Sequence, residues 1–521
     1  MRSLLIGSVG AIALCCAATA GAAAPLGASP QSPPAREASS SGDVVVTHHQ
    51  ILIHGKPLNY TAQAGTITLR DHTREPIAKM FFVSYAMDGG EPSARPLTFA
   101  WNGGPGSPSS MIQMGALGPR RLKSIDEYAK KPPPYELTDN ESTWLAATDL
   151  VFVDPVGTGY SYPVKPEYGK QFWNVQGDID SVAEFIRIYR TRYERWNSPL
   201  FVAGESYGTV RAAGIAEALE RRDIPVTGVI LISSLLDWAA ARPTAGNDLP
   251  YVLILPSYTA AAFAHKKLAA GLEIDLQATL RKAESWTTSE YAAALMKGDG
   301  LAGAELEATA KQLARYTGLA PEWLEKNDLR VNMEQFTLHL LADKQEAVAH
   351  YDSRLASKAI GGEYNPATDP SLSGNGLGTL FVPYLRDELG FKTDAFYAGP
   401  FGSGWPLPAA PRGDWLALHW DYGSATTARD PGEMLAQALR DNKALHVFSA
   451  SGYYDLSTPY LATKYAFEHM GLHPDERSRI EIKVYPGGHM MYMSGDNRGQ
   501  LERDVTGFIA KAVAASRGGG R

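Results

Sequence analysis

Gly204-Glu205-Ser206-Tyr207-Gly208 constrains this chain more than any other stretch. An apolar run, Leu200-Phe201-Val202-Ala203, leads into it, and an alanine-rich amphipathic stretch from Thr209 to Arg222 follows. Strand, Gly-x-Ser-x-Gly, helix is the pattern of a sharp turn that lifts a serine hydroxyl above a sheet. Its glycines stand where neighbouring backbone leaves no room for a Cβ. The helix that starts there aims its positive end at the turn and favours negative charge developing beside it. Five residues alone are a common pattern, and the flanks give this one its weight.

Those flanks belong to an alternating chain. Val44–Val46 and Ile51–Ile53, a turn at His54–Pro57, then Thr66–Leu69, Met80–Tyr85, Leu97–Trp101 and Leu150–Val153 have strand length and patterning. Apolar spacing over Ile179–Tyr193 predicts a helix, and Val226–Ile232 another strand. From Trp238 to Asp430 the alternation stops. Helical stretches there (Thr259–Ala270, Tyr291–Leu301, Ala304–Tyr316) give way to loops rich in Gly and Pro. It resumes with a strand at Ala444–Phe448, a helix at Tyr460–Met470, a strand at Ile480–Val484 and a closing helix at Leu501–Ala514. The expectation is an α/β fold with a mostly parallel central sheet. One catalytic domain spans 43–515, with a largely helical cap inserted over 239–430.

With 521 residues and 44% hydrophobic content the chain can bury a large core. Its net charge of −7 and scattered Lys and Arg argue against a nucleic-acid surface. Residues 1–24 read as a signal peptide: Arg2, an apolar core from Leu4 to Ala18, and Ala18-Thr19-Ala20 for cleavage. That core is short of a membrane span, so no stable membrane insertion is expected after cleavage. Both cysteines, Cys15 and Cys16, lie inside it, which leaves an exported protein without disulfides, secreted or periplasmic in a bacterial envelope. Residues 25–42, rich in Pro, Ser and Ala, read as a disordered leader. Oligomeric state leaves no mark in the sequence.

A serine hydroxyl at neutral pH needs an adjacent base, and the base needs a group to orient it. After an elbow of this kind the chain order is Ser, acid, His. Asp455, closing Ser451-Gly452-Tyr453-Tyr454-Asp455, follows a strand, and His489, closing Tyr485-Pro486-Gly487-Gly488-His489, follows the last one. Both fall at the carboxyl ends of strands, the edge where the elbow lies. His446 within a strand pattern, His469 within a helix and Asp441 ahead of its strand are weaker placed. Trp101-Asn102-Gly103-Gly104-Pro105-Gly106 is a glycine-rich turn after a strand, and its Gly104 N–H with that of Tyr207 could bind an oxyanion. The histidines show no ligand cluster and cysteine is absent after cleavage, so no metal or cofactor is expected.

Together these motifs resemble the serine carboxypeptidase family of the α/β-hydrolases, acid carboxypeptidase-like and of bacterial type. The family's Asn-Gly-Gly-Pro-Gly turn stands at Asn102–Gly106, and its Gly-Glu-Ser-Tyr elbow at Gly204–Tyr207. Its Asp-x-Pro-x-Gly-x-Gly segment appears as Asp154-Pro155-Val156-Gly157-Thr158-Gly159, and its Gly-His at Gly488-His489. The resemblance implies Ser206, Asp455 and His489 as a triad and Gly104 and Tyr207 as the oxyanion hole. It also implies that Asn102, Gly103 and Glu205 hold the carboxylate of a peptide or protein C-terminus. Glu205 would share a proton with that carboxylate and donate a hydrogen bond to it at acidic pH. Two positions depart from the family. Its Trp two residues before the Asn is Ala100 here, with Trp101 adjacent, and its Glu before Leu-Gly-Pro is Ala116 before Leu117-Gly118-Pro119. Both thin the carboxylate-binding network and spare the triad, so an esterase or acyltransferase stays open, and more distantly a non-catalytic envelope-binding protein.

Overall fold

A computed structural model describes residues 44–123, 134–359, 364, 369–372, 376–399, 420–423 and 429–518. The expected signal peptide and leader lie outside these residues. The path of the central sheet runs through β1 (Val44–Ile53), β2 (Lys56–Arg70), β3 (Pro76–Met87), β4 (Leu97–Trp101), β5 (Asp149–Val153), β6 (Leu200–Glu205), β7 (Gly228–Ile232), β8 (His446–Gly452) and β9 (Ile480–Tyr485). Their order across it is β1-β2-β3-β5-β4-β6-β7-β8-β9. Pairings from β1 to β5 are antiparallel, and those from β5 through β9 are parallel. This is the mostly parallel sheet of an α/β fold that the alternation predicts.

β4, β5, β6, β7 and β8 are buried along their whole length, which is why apolar residues dominate them. Successive side chains still part to opposite faces. Val229 and Leu231 enter the core beneath α1 (Val175–Arg192), α2 (Tyr207–Glu220) and α3 (Pro431–Asp441). Ile230 enters the other, under α4 (Gly495–Gly518). The chain leaves β4 for β5 on one side and later takes β6 on the other. The strand order therefore reverses between β4 and β6, which pair in the register Trp101 to Gly204, and their carboxyl ends mark the point where sheets of this kind bind ligands.

Several elements differ from the sequence expectation. β2 is longer than Thr66–Leu69 because it is sandwiched between β1 and β3, and its polar residues find strand partners on both sides. The first long helix after β7 is Leu249–Ala264, not Thr259–Ala270. Pro256 stands inside it and most of its faces are buried, so neither helix propensity nor a 3.6-residue stripe marks it. α3 was not anticipated, although Pro431 in its first turn and Met434, Leu435, Ala438 and Leu439 on one buried face are its signature.

Between β7 and β8 none of the described residues adds a strand to the central sheet. Helices Leu249–Ala264, Leu276–Trp286, Gly303–Thr317 and Met333–His339 bury a cluster of their own, with Tyr258 stacked on Phe336 at 3.9 Å between centroids. Leu456, next to Asp455, joins that cluster. No described helix is long and apolar enough to cross a membrane.

Candidate active site

β6 ends at Glu205, and Ser206 turns the chain with φ 58° and ψ −130°, a conformation that costs a non-glycine residue energy and is held by its surroundings. Ser206 N–H donates to Ile232 O at 2.9 Å, and Thr209 Oγ1 donates to Ser206 O at 2.6 Å. A Cβ at Gly204 would stand 2.0 Å from Gly208 O, so strand and helix approach only because residue 204 is glycine. Gly103 is excluded from any larger residue in the same way: its Cβ would lie 2.5 Å from Tyr207 N. The glycine turn after β4 and the elbow after β6 thus touch backbone to backbone.

Side chains lock that contact. Trp101 Nε1 donates to Gly208 O at 2.8 Å. Arg211, fully buried, donates to Asn102 O at 2.9 Å and to Asp178 Oδ2 at 2.8 Å, with its guanidinium beside the rings of Trp101 and Tyr207. Asp154 Oδ1 accepts from the amide and hydroxyl of Ser109, each at 2.8 Å, and burial pushes its carboxyl up to about 6. The Gly104 N–H donates to no described backbone group, and the Tyr207 N–H, first in its helix, has no intrahelical acceptor.

Asp455 and His489 converge from the ends of β8 and β9. His489 Nδ1 lies 2.8 Å from Asp455 Oδ2, an arrangement that puts the proton on Nδ1 and leaves Nε2 as acceptor. Asp455 is fully buried and also accepts from Ser457 N, Thr458 N and Thr458 Oγ1 at 2.8, 2.9 and 2.6 Å. On the far side of the ring, Nε2 is 4.0 Å from Glu205 Oε1. Burial works against the charged imidazolium, but the Asp455 and Glu205 carboxylates together outweigh it and raise the His489 pKa. Glu205 is raised too, by its own burial, while His489, Tyr492 and Asn102 pull it the other way. Among the described residues Ser206 Oγ and His489 Nε2 are not hydrogen-bonded, a looseness common in sites without substrate.

Asn102 donates through Nδ2 to Glu205 Oε2, and its Oδ1 accepts from Ile112 N at 2.9 Å. These contacts join Asn102, Gly103, Glu205, Tyr207, Asp455 and His489, with Ser206 between Glu205 and Tyr207 in the chain. Sequence reasoning passed over Thr458, Arg211, Asp178 and Tyr492, whose hydroxyl donates to Glu205 Oε2 at 3.0 Å. Arg211 had a visible signal, a charge on an otherwise apolar helix; Tyr492 had none. The segment 349–354 was also missed. Tyr351 O accepts the His489 amide at 2.5 Å, His350 O the Leu456 amide at 3.1 Å, and Ser353 N–H donates to Tyr454 O at 3.0 Å. Among the described residues no group of His, Cys, Asp and Glu is arranged to hold a metal.

Residues 54–237 match the model of the serine carboxypeptidase family. That match takes in the glycine turn, the 154–159 segment and the elbow, and stops before Asp455 and His489. A pheromone-processing carboxypeptidase of Aspergillus niger is 34% identical over 142 residues, 27% of this chain and 21% of that protein. A serine carboxypeptidase-like protein of Arabidopsis thaliana is 32% identical over 129 residues, 24% of this chain and 28% of that protein. The chain thus spans well under half the length of the curated relatives it matches. A solved proline iminopeptidase of Mycobacterium smegmatis overlays 87% of this chain and 99% of its own, with a TM-score of 0.38 and 12% identity.

Proposed function

We propose that this chain, which carries the serine carboxypeptidase pattern over residues 54–237, is an exported serine-type carboxypeptidase that releases the last residue of peptides. Ser206 attacks the terminal peptide carbonyl and His489 takes its proton at Nε2. Asp455 holds the imidazole tautomer and stabilises its charged form. The N–H groups of Gly104 and Tyr207 receive the oxyanion. His489 gives that proton to the departing amino group as the peptide bond breaks; water, deprotonated by the same imidazole, then resolves the acyl-enzyme, and the proton returns to Ser206 Oγ. Asn102, Gly103 and Glu205 hold the substrate's carboxylate, and the serine arm tightens when substrate binds. The segment 239–430 acts as a cap over this site, and residues 1–24 direct export.

The observation that carries this reading is the Asp455–His489 bond of 2.8 Å with the elbow carboxyl of Glu205 facing the opposite ring nitrogen at 4.0 Å. A hydrolytic dyad and a buried, protonatable carboxyl beside it suit a substrate that ends in a carboxylate. Ala116 favours a second reading, an esterase or acyltransferase on the same acyl-enzyme, because it removes a carboxyl from the binding network.

Incubation with a mixed peptide pool, followed by mass spectrometry, separates the two. The expected result is a one-residue ladder from the carboxyl end, absent with Ser206→Ala. Ester cleavage without a ladder would support the second reading. Equal turnover by Ser206→Ala and the parent would remove both and leave a binding protein.

A further inference from the structure

Glu205 has a hydrogen-bond donor that none of the recognised motifs contains. Tyr492 is fully buried, and its hydroxyl lies 3.0 Å from Glu205 Oε2, the oxygen that also accepts from Asn102. Its segment, Met491–Met493, packs on Gln113–Leu117, and Tyr492 shares a buried cluster with Met114, Ala116 and Leu117. Ala116 is the position at which the family resemblance expects a glutamate. Its methyl brings no polar atom to that cluster, and the phenol does. The other groups that face Glu205 are His489, Asp455 and Tyr351. Among the described residues no second carboxyl is hydrogen-bonded to it.

We propose that Tyr492 is the positioning residue for Glu205 and stands in for a second carboxyl group, so that the carboxylate-binding site holds one titrating acid in place of a pair. The proposal rests on the carboxypeptidase reading above for its role in substrate binding. The physical content is simple. Two adjacent carboxyls trade a proton and titrate in two linked steps. A phenol near a carboxylate only donates, because its own ionisation lies far above neutrality. It therefore favours the charged form of Glu205 and keeps Oε2 occupied. Oε1, on the His489 side, is left as the oxygen that carries a proton toward a ligand carboxylate.

Tyr492→Phe removes the hydroxyl and keeps the ring, so packing is retained; a thermal melt checks this. Loss of one donor to the charged form moves the Glu205 titration upward, by about one pH unit. Two measurements read it. In the first, kcat/KM is followed against pH for a blocked dipeptide with a free carboxylate and for the matching amino-acid ester. The alkaline limb for the dipeptide moves to higher pH in the variant, with KM carrying the change, while the alkaline limb for the ester stays in place. In the second, infrared difference titration follows the protonated-carboxyl band of Glu205, identified by its loss in Glu205→Gln. Its midpoint rises in Tyr492→Phe. Superimposable infrared titrations of the parent and Tyr492→Phe would overturn the assignment. A shifted infrared midpoint with no dipeptide cleavage by the parent would leave the Tyr492–Glu205 coupling standing and remove the carboxypeptidase reading.

Discussion

His489 lies between two carboxyls, and that position governs when it can act as a base. Asp455 holds Nδ1 at 2.8 Å and Glu205 faces Nε2 at 4.0 Å. Burial opposes the charged ring, yet the two carboxylates win and the imidazole keeps its proton to higher pH than a free histidine. In the proposed reaction the base must be neutral, so the acid limb of activity should follow this raised value. Glu205→Gln removes one of the two raising charges. In that variant the acid limb of kcat/KM for a small ester should move to lower pH, by roughly half to one unit. For a peptide with a free carboxylate, an ionisable Glu205 stops donating as pH rises, so the alkaline fall should flatten in the same variant. Profiles that coincide with the parent on both substrates would count against Glu205 having either influence.

At the scale of elements, the elbow and the glycine turn work because two loops meet without side chains between them. The cost of adding one is set by what it would hit. Gly204→Ala drives a Cβ to 2.0 Å from Gly208 O, where only backbone can give way. It should destabilise the fold by about 3 kcal/mol or more, since overpacking at rigid backbone is among the severe classes of substitution. Gly507, exposed inside α4, has nothing within 4 Å of its Cβ position. Gly507→Ala should be stabilising by about 0.5–1 kcal/mol through helix propensity alone. Thermal or urea unfolding of the two variants checks both, and the opposite signs come from one residue change in two surroundings.

On the scale of the whole molecule, described residues of the segment between β7 and β8 reach the loops of Asp455 and His489. Residues 349–354 are hydrogen-bonded to both the Asp455 loop and the His489 loop. Arg354 extends the clamp: it holds buried Asp352 through Nε and a terminal nitrogen at 2.8 and 2.6 Å, and donates to Pro486 O at 3.1 Å. Arg354→Ala should lower kcat on a small ester by about tenfold or more, because loosening a base costs rate without touching chemistry. Its melting temperature should fall as well, because Asp352 is left buried without its partner. An unchanged kcat, measured well below the melting transition, would show that the clamp has no hold on His489.

What the amino-acid sequence determined by itself was local or periodic. The elbow, the glycine turn and the apolar-rich runs of β4 to β8 are each written in adjacent residues, and burial on both faces favours apolar composition in a strand. Asp455 and His489 were legible because strand ends are legible, and a parallel sheet gathers those ends on one rim. Only the tertiary structure decided the rest. Tyr492 meets Glu205, Arg211 meets Asn102, and Tyr351 holds the His489 amide across long stretches of chain. Such pairings depend on which loops the sheet order brings together, and nothing in the neighbouring residues encodes the partner. The proline inside helix Leu249–Ala264 misled for the same reason: burial on most sides, supplied by the fold, replaced the periodic stripe that a sequence can display.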